Sequence, residues 1–129
     1  MLGATTLWPV IGAARTVSPV FTLEDVDLVS QWLRECLELH PECSIGEPRL
    51  PTRVLFVGSG NQDPYLYESQ REIAQYTALS HCWGDPRHPP LRTTVACLSA
   101  RKKSIPLHEL PPTFVDSVLL TRKLGIKYL

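Results

Sequence analysis

Cys36, His40 and Cys43 are spaced for metal chemistry within one short stretch. Positions four apart on a helix share a face, so Cys36 and His40 can point the same way. Cys43 follows Pro41, which stops a helix, and the turn there can swing its thiol back. Zinc accepts thiolate and imidazole donors, but a structural zinc site closes with four of them. Only three are local, and no paired Cys-x-x-Cys knuckle accompanies them. A buried thiol at Cys36 and a helix-ending His40 account for the same residues without an ion. Zinc is therefore not expected from the sequence alone.

A second group is Ser80-His81-Cys82-Trp83-Gly84. A cysteine beside a histidine suggests an activated nucleophile. Neighbours on a strand point to opposite faces, however, so no catalytic residue is assigned here. At the C-terminal end of a parallel strand the chain opens onto a crevice where ligands bind. Ser80, His81, Trp83 and Gly84 are the candidates for lining such a crevice. A packed indole followed by a backbone turn accounts for Trp83-Gly84 equally well. Gly58-x-Gly60 is too short for a dinucleotide fingerprint and lacks the third glycine.

The elements that must position these residues follow from caps and periodicity. Thr22 can cap a helix from Leu23, with Glu24, Asp25 and Asp27 favouring its positive end. Val26, Val29, Leu33, Cys36 and Leu37 recur at helical spacing with Trp32 beside them, and Pro41 ends the run. Thr52–Val57 reads as a strand, Tyr65–Tyr67 as a second and Gln75–Cys82 as a third. Two or three of these can form a small antiparallel meander. Thr93 or Thr94 caps a short helix to about Arg101, with Val95 and Leu98 inward. Pro111-Pro112-Thr113 opens another, with Val115, Val118, Leu119 and Arg122 on one stripe and Gly125 at its stop. Asp116 and Arg122 read as surface or interhelix polar groups. Ile126–Leu129 begins a strand and runs out, which predicts a buried strand with its partners missing.

From residue 75 onward the order strand, helix, short strand, helix, strand predicts an α/β fold built on a parallel sheet with flanking helices. A helix and short antiparallel strands precede it. The expected organisation is an irregular leader over residues 1–21, an N-terminal helix and linker over 22–51, and a partial domain over 52–129.

Several phrases then line up in order. They are Trp32-Leu33 with Cys36, His40 and Cys43, then Leu50–Leu55, Tyr76–Gly84, Leu91–Thr94, Leu110–Ser117 and Thr121–Leu129. Together, over roughly residues 30–129, they resemble the N-terminal part of the fungal heterokaryon-incompatibility (HET) domain, cut off at Leu129. The resemblance implies non-self recognition and programmed cell-death signalling. It also implies a TIR-like, flavodoxin-like fold, with Ala78–Trp83 as the first strand and its loop. Some TIR domains cleave NAD with a downstream glutamate, so NAD is the cofactor implied for the complete domain. The family's tryptophan–isoleucine–aspartate phrase would follow Leu129. The catalytic residue is thus unassigned, and no turnover is expected from this chain alone.

Composition narrows the partners. Of 129 residues 43% are hydrophobic and 20% charged, with a formal net charge of zero, which fits a folded domain and not a nucleic-acid binder. Residues 1–80 carry five Lys/Arg against ten Asp/Glu, and residues 81–129 carry eight against three, so the halves can attract each other. No secretory signal or membrane span is evident, which predicts a cytoplasmic protein with four reduced cysteines. The partners implied are other signalling or incompatibility proteins and a second copy of the chain, with no membrane.

Overall fold

Thr22 opens the first helix, α1 (Leu23–Leu39), through a reciprocal capping box. Its Oγ1 accepts from the Asp25 N–H at 3.4 Å, while Asp25 Oδ2 accepts from the Thr22 N–H at 2.7 Å. These bonds satisfy donors that a helix start leaves open. The helix stops at His40, whose N–H still reaches Cys36 O at 3.2 Å, and a 3₁₀ turn follows over Pro41–Ser44. The computed structural model describes residues 22–44, 46, 48–82, 84, 87 and 91–129. The leader expected over 1–21 and the side chain of Trp83 lie outside them.

The sheet departs from expectation. Strand β1 (Arg53–Phe56) pairs antiparallel with β2 (Tyr65–Glu68), Arg53 lying opposite Glu68 and Phe56 opposite Tyr65. This two-stranded antiparallel hairpin replaces the TIR-like parallel sheet. Residues 48–50 prolong it: Leu50 N–H donates to Glu72 O and Ala74 N–H to Pro48 O, each at 3.0 Å.

The other edge of β1 receives the chain end. Leu55 and Leu129 exchange N–H···O bonds of 2.7 and 3.0 Å, and Val57 N–H reaches Lys127 O at 2.9 Å. Tyr128 bridges Phe56 antiparallel on one side and Tyr76 parallel on the other. Ile126–Leu129, expected to lack partners, is therefore paired on both sides at Tyr128. Gln75–Cys82, expected as a full strand, forms only that one bridge. A strand extends only as far as its neighbour, and the neighbour here is the short run 127–129.

Among the described residues two further helices follow, α2 (Val95–Arg101) and α3 (Pro112–Lys123), with a 3₁₀ turn at Leu107–Glu109 between them. Pro112 sits in the first turn of α3, where its missing N–H costs nothing. Gly125, at φ +73, turns the chain out of α3 toward the sheet. On α3 the buried positions are Val118 and Thr121, while Leu119, expected inward, is 44% exposed. Val95 is also turned out, at 92% exposure. On α1, Val26 is buried but Trp32, Leu33 and Leu37 are not.

The core gathers Leu50, Val54, Val57, Leu66, Ile105 and Val118, drawn from the hairpin and its prolongation, the segment between α2 and the 3₁₀ turn, and α3. Phe56 stacks on Tyr65 at 5.0 Å and meets Tyr128 edge-on at 5.8 Å, so aromatic contact follows the backbone pairing across three segments. Charge joins the two halves at Glu68, which pairs with Arg53 at 3.1 Å and with Lys102. These cations hold the Glu68 carboxyl below its ordinary range, Lys102 first.

Truncating Leu50, which is 2% exposed, to Ala is expected to cost about 2–5 kcal/mol in denaturant unfolding. Val95→Ala, at an exposed site, should change stability by no more than about 0.5 kcal/mol in the same assay.

Candidate metal centre and ligand crevice

The three metal-type donors converge. The Cys36 and Cys43 sulfurs and an imidazole nitrogen of His40 all lie within 4.8 Å of one another. The backbone explains the convergence. Cys36 and His40 sit one turn apart at the end of α1, and Cys43 N–H donates to His40 O at 2.9 Å, folding the 3₁₀ turn back over the helix end. The expectation against zinc is thereby corrected, because the sequence could not say whether the turn would bring Cys43 back. A hydrogen bond with Cys43, burial and the Cys43 and Glu42 charges together hold the Cys36 thiol above its ordinary 9.0. All four cysteines are free.

Around the second candidate group, His81 faces Phe114 edge-on, with ring centroids 4.9 Å apart and planes at 84°. His81, Leu55, Leu79, Leu110, Phe114 and Leu129 line a cavity of about 290 Å³. It is an apolar space with one imidazole in its wall, of the kind that takes a small apolar group. Ser80 is exposed, and Gly84 is exposed with φ +70. Neither lines that cavity, and Trp83 is outside the described residues. Of the three predicted crevice residues that are described, the fold brings His81 to the cavity wall.

Two features escaped the sequence reading. Arg122, read there as a surface or interhelix group, reaches into the loop after β1. Its Nε donates to Val57 O at 2.7 Å, Nη1 to Gly60 O at 2.9 Å, and Nη2 to Gln62 O at 2.5 Å and to Val57 O. The loop turns its carbonyls inward, with Gly58 and Gly60 at φ +68 and +56. It therefore binds a cation, whereas a phosphate cradle presents N–H groups. A Cβ on Gly58 would stand 3.3 Å from Gln62 Cβ, so both space and φ favour glycine there. Burial lowers the pKa of Arg122 and the nearby Asp63 opposes that shift.

The other is Cys97, at the start of α2. Its sulfur lies 3.3 Å from the Thr94 hydroxyl, accepts from Thr94 N–H at 3.1 Å, and accepts from Arg101 Nε at 3.4 Å. These donors, the Thr94 side chain foremost, lower its pKa from 9.0 to about 7. A Thr three residues before a Cys and an Arg four after it on a helix was the available signal.

Residues 76–129 match the family described as Heterokaryon incompatibility protein (HET). No curated protein and no solved structure matches the chain. The HET match lies in the C-terminal part of this chain. It corrects the resemblance read over residues 30–129 as the N-terminal part of that domain, since the Trp32–Cys43 and Leu50–Leu55 phrases fall outside it. The matched segment carries His81, Cys97, Phe114, Arg122 and Tyr128. The metal-type cluster lies upstream of it.

Replacing Arg122 with Met should lower stability by about 2–3 kcal/mol in denaturant unfolding, since it strands carbonyls that a charged donor satisfies. Lys at that position should recover only part, because an ammonium lacks the planar fork. For Cys97, alkylation should rise with pH through a midpoint of about 7, because the thiolate is the reacting form. Thr94→Val removes the hydroxyl donor and should move that midpoint upward. A midpoint unchanged by Thr94→Val would dismiss the role given to the hydroxyl.

Proposed function

We propose that this chain works as part of a fungal heterokaryon-incompatibility module, in non-self recognition that leads to programmed cell death. The match of residues 76–129 to the HET family carries this reading. In it, residues 52–129 form the partial domain, and residues 22–51 supply an N-terminal helix and linker.

The physical arrangement suits a module that acts by contact. Residues 76–129 contribute the segment that closes the edge of β1, the helix that anchors the preceding loop, and most of the wall of the His81 cavity. The crevice residues Ser80, His81, Trp83 and Gly84 all fall within that segment. In this reading His81, which lines the apolar cavity, meets an apolar group from a partner. The partners are other incompatibility proteins or a second copy of the chain, met inside the cell. Among the described residues no helix is long and apolar enough to cross a membrane.

The test is inducible expression, in a filamentous fungus, of the full reading frame to which this chain belongs. Arrested growth and uptake of a vital dye are expected on induction or on fusion with an incompatible strain. Phe114→Ala, which removes the ring against His81, should weaken the response. Normal growth and dye exclusion with every partner strain would remove the support for this function.

A further inference from the structure

We propose that Cys36, His40 and Cys43 form a zinc site that clamps the end of α1 to the turn after it, with the fourth position held by solvent. Three observations carry it. The three donor atoms already lie within 4.8 Å of one another without an ion. Ideal tetrahedral zinc with Zn–S near 2.3 Å and Zn–N near 2.0 Å requires donor separations of roughly 3.5–3.8 Å. The remaining contraction is at most about 1 Å, within reach of small side-chain rotations, because His40 and Cys43 are exposed and Cys36 is half-buried.

The second observation is electrostatic. The site lies at the C-terminal end of α1, where the helix dipole is negative, and the last turn of α1 holds no Lys or Arg. Glu38 and Glu42 add carboxylates on either side of His40. A divalent cation answers that charge.

The third is chemical. Two thiols and one imidazole are a donor set that selects zinc over calcium or magnesium, which require oxygen ligands. Binding releases the two thiol protons, so affinity rises with pH. Among the described residues no other group of His, Cys, Asp and Glu converges in this way. The outward side of the site is open to water, which leaves the fourth position to solvent.

The inference is independent of the signalling reading, because its readouts are spectroscopic and do not involve growth. Fully reduced protein, held without oxygen, is titrated with Co²⁺ as a stand-in for zinc. One equivalent is expected to produce thiolate-to-cobalt charge-transfer absorption, and zinc should then bleach it. Cys36→Ser and Cys43→Ser should each weaken binding on the order of a hundredfold. Cys82→Ser and Cys97→Ser should leave it unchanged. Unsubstituted protein supplies a second measurement that does not depend on how the variants fold. Zinc should slow alkylation of Cys36 and Cys43 by about tenfold or more while leaving Cys97 at its metal-free rate. A reduced chain with no charge-transfer absorption would overturn the site. So would binding that survives loss of Cys36 or Cys43, or zinc protection that falls equally on all four cysteines.

Discussion

The Arg122 guanidinium sets the geometry on which the other contacts depend. It gathers the carbonyls of Val57, Gly60 and Gln62 from one loop and ties them to the last turn of α3. Hydrogen bonds from a charged donor contribute about 1.5–3 kcal/mol each in isolation and do not add linearly. Their larger effect is positional. With α3 held at the end of β1, the turn at Gly125 delivers residues 127–129 alongside β1, in register with Leu55 and Val57.

That delivery decides the sheet. β1 has β2 on one edge and the 127–129 run on the other, and Tyr128 carries the pairing one step further to Tyr76. The buried face follows from it. Val118 and Thr121 of α3 pack beneath, and the Thr121 hydroxyl meets that of Thr77 at 2.7 Å while donating to Ser117 O at 2.8 Å. A nearly fully buried hydroxyl with two partners is inexpensive to bury, whereas an unpaired one is not. The His81 cavity is the space left between this sheet edge and α3, bounded by Leu55 and Leu129 on one side and Phe114 on the other.

The family-matched segment and the metal-type cluster occupy different parts of the chain, and each has its own local logic. The cluster is a product of helix termination: a proline stop, a 3₁₀ turn and three donors spaced across it. The matched segment works through long-range contacts, from Arg122 to the Val57–Gln62 loop and from Tyr128 to both Phe56 and Tyr76. Residues 48–50, which read as a linker, lengthen the hairpin on which the matched segment rests.

What the sequence determined by itself was local. The Thr22 cap, the proline stop after α1, the two hairpin strands, the Thr94 start of α2 and the Pro112 start of α3 are each governed by residues within a turn of one another, so spacing sufficed. The metal-type donors were legible as residue types, and His81 as a residue at the end of an apolar run. Only the tertiary structure decided three things. It turned Leu119, Val95, Leu33 and Leu37 outward, because burial depends on what packs opposite and not on periodicity. It made the sheet an antiparallel hairpin with a bridged chain end, because strand direction is set by which distant segment arrives alongside. And it closed Cys43 onto Cys36 and His40, because the path of a turn after a proline stop is settled by its backbone hydrogen bonds.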